Sequence, residues 1–270
     1  ALEIMSHRIV WGTLAAGGLI LAARQSRALG EVLRTPRVLA WLALSAVLIA
    51  TNWTIFVWSV NHGRLLETSL GYYIIPLLAM AAGALIFQER IDRLGAGAIA
   101  LAGVGVALQA LALGRLPIVS LVLALSFGGY GIVRKRVAAS AQTGLLIECL
   151  MLAGPGVAYV AWLQATGAGH LATSTSATLW LLACGPVTAV PLVLFSWAAR
   201  RIPLSAMGFL QFIGPTIGFV IGVGEGESFT PLRAVSFVFI WGGAAVFAFG
   251  AWRRTRALRR PAAQAATAAE

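Results

Sequence analysis

The densest run of chemistry-bearing residues is Asn61-His62-Gly63-Arg64-Leu65-Leu66-Glu67-Thr68-Ser69-Leu70-Gly71-Tyr72-Tyr73. Glu67 stands at the head of an apolar run, with Gly71 one turn on and Pro76 beyond. A carboxylate there can bind a proton or a cationic solute group. It can equally pair with Arg64 three residues earlier and favour the positive end of a helix. Tyr72 and Tyr73 suit a cavity wall or an interfacial aromatic belt. Upstream, Asn52 and Trp53 lie deep in an apolar run, where an amide needs a partner on another helix or on a solute. In the second half of the chain Gln211 takes the place of Tyr72, and Arg8 and Arg134 are candidate anchors for an anionic group. Glu148 pairs most simply with Arg134 or Lys135. Glu89 and Asp92, beside Arg90 and Arg93, read as a solvated ion-pair cluster.

None of this makes a catalytic set. His7, His62 and His170 lack metal-ligand spacing or a nucleophile partner, and Cys149 and Cys184 sit inside apolar runs as small hydrophobes. There is no Gly-rich phosphate loop of the Walker type. The expectation is therefore no metal, no cofactor and no enzymatic activity. An intramembrane enzyme would need a nucleophile–base or metal set gathered at one depth.

The elements that position these residues follow from composition. Of 270 residues 59% are hydrophobic and 11% are charged, with a mean hydropathy of +0.87. Soluble domains carry about 25% charged residues, so lipid must be the solvent for most of this surface, and the fold class is an all-α polytopic membrane protein. Nine apolar segments approach spanning length: 9–23, 38–60, 66–87, 95–113, 117–133, 145–164, 177–199, 204–224 and 231–252. The net charge of +11 does not point to nucleic acid, because the basic residues cluster between apolar runs. Sixteen of the 20 fall in alternate loops and the tail: Arg24, Arg27, Arg34 and Arg37; Arg90 and Arg93; Arg134 to Arg136; Arg200 and Arg201; and Arg253 to Arg260. The positive-inside rule makes those loops and the C-terminus cytoplasmic, in a bacterial inner membrane.

Sliding the chain along itself until Trp41-Leu42 meets Trp180-Leu181 aligns its halves without a gap. At the same offset Phe56 meets Phe195, Trp58 meets Trp197, Pro76 meets Pro215, and Gly103 meets Gly242. Repeats of five helices cross the membrane in opposite senses, the construction of secondary transporters, with substrate near the midplane. The matched prolines, Pro76 and Pro215, weaken equivalent spans and point to a cavity. The expected organisation is a first repeat over 1–113, a second over 117–252 and a basic cytoplasmic tail over 253–270. Topology places a missing first helix upstream of Ala1.

The run Asn52-Trp53, Phe56, Trp58, Gly63-Arg64, Glu67, Ser69-Leu70-Gly71-Tyr72-Tyr73 and Pro76 resembles the RarD-type subgroup of the EamA, or drug/metabolite transporter, family. So do Glu3 with His7-Arg8, Ser126-Phe127-Gly128, Tyr130-Gly131, Arg134-Lys135, and Gln211 with Pro215-Thr216. The likeness covers essentially the whole chain. It implies ten helices in two inverted EamA repeats, permease activity towards a small-molecule solute in a lipid bilayer, and a first helix ending just before the Glu–His-Arg motif. Ile75 and Phe212 depart from the Asn and Tyr common in that family, removing polar groups beside the presumed cavity. A secondary transporter working by alternating access is the reading that results, with room for proton coupling and for a homodimer. A non-transporting membrane scaffold is the rival reading.

Overall fold

The computed structural model describes residues 2–112, 116–214, 216–217 and 231–267. Among them are ten helices: α1 (Leu2–Ala22), α2 (Ser26–Leu33), α3 (Pro36–Asn61), α4 (Leu65–Leu85), α5 (Arg93–Ala112), α6 (Ile118–Arg136), α7 (Ala141–Thr166), α8 (Thr175–Ala199), α9 (Leu204–Gln211) and α10 (Pro231–Thr267). Eight are long and apolar enough to cross a bilayer, so this is a multi-pass membrane protein. Local chemistry sets the ends. Pro36 opens α3 at a position where a missing N–H does no harm. Ser140 and Ser174 cap α7 and α8 by accepting Thr143 N at 3.1 Å and Ala177 N at 3.1 Å. Gly167 closes α7 at φ +68°.

One expectation needs correction. The first span begins at Leu2 rather than at residue 9. Glu3, His7 and Arg8 lower the hydropathy of that stretch, yet each has a hydrogen-bonding partner, so the helix tolerates them. The connection 24–37 contains the short helix α2. The basic tail carries structure of its own, residues 253–267 continuing α10 as helix, in keeping with the good helix propensity of Ala and Arg. The segment 204–224 opens as α9; its proline, Pro215, and residues 218–224 lie outside the described residues.

The helices group into two compact units, Ala1–Thr68 with Leu121–Pro203, and Ser69–Ser120 with Leu204–Glu270. In the first unit α1 packs on α7 and α8, and α7 also packs on α3. Ala16, Ile20, Leu145, Cys149 and Ala189 form the core where α1, α7 and α8 meet. In the second unit α5 lies along α10. There the backbones nearly touch: a Cβ on Gly243 would come within 2.6 Å of the Ala98 carbonyl oxygen.

Helix starts repeat along the chain. Leu2 and Ala141, Pro36 and Thr175, and Leu65 and Leu204 open helices in pairs, all at one constant offset. In this pairing α1 corresponds to α7 and α3 to α8. The partners α1 and α7 pack on each other, and exchanging the labels turns the α1–α8 contact into the α7–α3 contact.

Candidate functional site

The first unit holds two polar constellations. One is fully buried. Arg134, in the last turn of α6, directs Nη1 at Glu148 Oε1 on α7 at 3.3 Å and donates through Nε to Ser196 Oγ on α8 at 3.1 Å. Its Nη2 donates to the Ala141 carbonyl at 3.0 Å. Glu148 Oε1 also accepts from Ser45 Oγ on α3 at 2.5 Å, and Tyr130 donates to Oε2 at 3.4 Å. The network thus ties together α3, α6, α7 and α8. Gly144 makes it possible, because a Cβ there would overlap Arg134 Nη1. Of the two partners considered for Glu148, the structure takes Arg134. Lys135 donates instead to the Ile202 carbonyl at 3.2 Å.

The second constellation is half-buried and centres on Arg8 of α1. Its guanidinium lies 4.3 Å above the ring of Trp53 on α3 and donates through Nε to Thr188 Oγ1 on α8 at 3.0 Å. Trp53 and Thr188 are both buried. Trp53 packs with Met5, Ile49 and Tyr130. Pro186 and Pro191 flank Thr188 inside α8, and each removes a backbone N–H that would have bonded a carbonyl one turn back. Next to Arg8, His7 accepts from Trp11 Nε1 at 3.0 Å on Nδ1. Its Nε2 has no hydrogen-bond partner among the described residues. At the start of α1, Glu3 accepts from the His170 backbone N–H at 2.6 Å and lies 2.7 Å from its Nδ1.

Asn52 is buried one residue before Trp53, but its amide goes elsewhere, donating to the Leu123 carbonyl at 2.9 Å and to Ser126 Oγ at 3.1 Å. That makes it a tie between α3 and α6. Glu67, buried in the first turn of α4, lies 3.8 Å from Arg64 Nη1.

The second unit contains the remaining candidates. Tyr73 is buried edge-on to Phe237, at 5.6 Å between centroids, in a core with Leu70, Met80, Phe209 and Phe212. Tyr72 is exposed. Gln211, at the end of α9, turns its amide back to the Met207 carbonyl at 3.4 Å. Pro76 is fully buried inside α4, with Gly208 of α9 against its carbonyl. Pro215 lies outside the described residues.

Sequence reasoning missed Thr188, for which the flanking prolines were the available signal. It also misread Glu89. That carboxylate accepts from Leu204 N at 2.6 Å, Ser205 N at 3.0 Å and Ser205 Oγ at 2.8 Å, capping α9, where a solvated ion-pair cluster had been expected.

No family model matches the chain. Known proteins do. An uncharacterized transporter of Vibrio cholerae is 42% identical over 262 residues, spanning 96% of this chain and 87% of that protein. Protein RarD of Escherichia coli is 41% identical over 251 residues, spanning 92% and 85%. This chain belongs to the RarD family. A more distant RarD relative from Pseudomonas aeruginosa, named a chloramphenicol-sensitive protein, is 31% identical over 97% of this chain and 88% of its own length. One solved crystal structure superimposes with a TM-score of 0.65 at 18% identity, covering 91% of this chain and 86% of its own, a likeness of fold alone. A RarD-family chain with eight spanning helices is a membrane transporter.

Proposed function

We propose that the protein is a secondary carrier, moving a small organic solute across the bacterial inner membrane by alternating access of two inverted repeats. The observation that carries this reading is the exchange of packing partners at the constant repeat offset: α1 with α7, and α1–α8 with α7–α3. A molecule built from such repeats has two arrangements of nearly equal energy, because either repeat can take the other's conformation. Arg8, Trp53, Asn52, Glu67, Tyr72, Tyr73 and Gln211 are assigned to the path, with Pro76 as the point where α4 bends. Arg134 has its donors committed inside the four-helix network, so its part is to hold that frame. Glu67 is the proposed proton-carrying group. The C-terminus is proposed to be cytoplasmic.

The test is solute flux into proteoliposomes, for amino acids, nucleobases, sugars and chloramphenicol, with and without a proton gradient. Saturable flux of one class is expected, and Glu67→Gln should lower its gradient-driven component about a hundredfold, the lower end of what a positioned proton-transfer group contributes. Folded protein that moves none of these solutes would favour the scaffold reading.

A further inference from the structure

We infer that Arg8, Trp53 and Thr188 form a binding site for the carboxylate of an organic anion, and that the carried solute is therefore of that class. This rests on the carrier reading. Thr188 stands midway along the 25-residue helix α8, about 20 Å from its start. The Arg8 guanidinium, bonded to its hydroxyl, is thus near the middle of the bilayer. A charge at that depth faces the bundle interior or a water-filled cavity, because hydrocarbon cannot solvate it. Trp53 and Thr188 are buried while Arg8 itself is only half-buried, so its side chain runs between helices and stays partly exposed. Arg134, by contrast, is 0% exposed and out of a solute's reach.

Geometry selects the ligand. The Trp53 face under the guanidinium and the Thr188 bond at Nε fix its plane from two directions. A guanidinium so held is a planar fork matched to a carboxylate, which accepts two parallel N–H bonds. The repeat alignment places Ile147, Leu192 and Ile49 opposite Arg8, Trp53 and Thr188. The site therefore has no second copy in the other repeat and suits one monoanion per cycle. A phosphate dianion would call for a second cation.

Cys184 is the native reporter. It is half-buried on α8, one turn before Thr188 and on the same helix face. In the full chain carrying Cys149→Ala, modification rates would be measured with a sulfonate-bearing and a trimethylammonium-bearing methanethiosulfonate, each normalised to a free thiol. The anionic reagent should react about tenfold faster, the lower end of what a charged cleft does to local ion concentration. Arg8→Gln should erase that preference and Arg8→Lys should keep it. Benzoate should slow labelling with arginine at position 8 and not with glutamine, while benzamide should do neither. Resistance of Cys184 to both reagents would overturn the site, as would a preference unchanged in Arg8→Gln. Labelling needs no transport, so the two readings fail separately: charge-selective labelling without flux sinks only the carrier, and saturable flux without charge selectivity sinks only the carboxylate site.

Discussion

Arg134 and Glu148 show how an apolar sequence tolerates full charges inside it. Each guanidinium nitrogen meets an oxygen, from Glu148, Ser196 or a carbonyl at the start of α7. Removing one member of a buried pair strands the other, which typically costs about 3–5 kcal/mol, while replacing both by apolar groups is often neutral. Arg134→Met and Glu148→Leu should therefore each lower unfolding stability in detergent by about that amount, and the double variant should recover most of it. Gly144→Ala supplies a sharper check. Its Cβ would occupy the space of Arg134 Nη1, so it should destabilise the native chain strongly and have little further effect when combined with Arg134→Met. Additive losses would mean that Gly144 serves helix packing and not the arginine.

At the level of helices, Glu89 joins the connection before α5 to the first turn of α9 across 115 residues of sequence. Glu89→Ala should cost about 0.5–2 kcal/mol, the usual worth of a helix cap, and faster amide hydrogen exchange should appear at Leu204 and Ser205. This contact also marks where sequence reasoning stops. Apolar runs of spanning length announce themselves, because lipid demands them, and most predicted spans lie close to the observed helices. The Arg134–Glu148 pair was half-readable: a carboxylate inside an apolar segment needs a cation, and the loop before it offered Arg134 and Lys135 equally. The first two turns of α1 were not, since Glu3, His7 and Arg8 look like a loop until their partners are known. Thr188 was hidden for a related reason: a single hydroxyl in an apolar helix acquires meaning only when a guanidinium arrives from far along the chain. Glu89 carried a charge pattern that fits solvent as well as it fits a cap.

Across the whole molecule, the loop charges assign sides. A cysteine at Ala168 should react with a membrane-impermeant maleimide in intact cells, and one at Arg27 only after the membrane is opened; the reverse pattern would invert the proposed topology. The units themselves are each assembled from two stretches far apart in the sequence. That arrangement has a consequence for how the protein is made. When the ribosome has finished α1, the helix on which it must pack, α7, has yet to be started and begins only at Ala141. At about 5–20 residues per second the delay is on the order of ten seconds. Throughout that interval Arg8 sits in a nascent helix without Thr188 beside it, and the insertion machinery must shelter it. Chains abandoned part-way would expose such charges to the quality-control proteases of the membrane, whereas two separately translated halves, 1–116 and 117–270, would each lack the surfaces that only the other can cover and should survive only when made together.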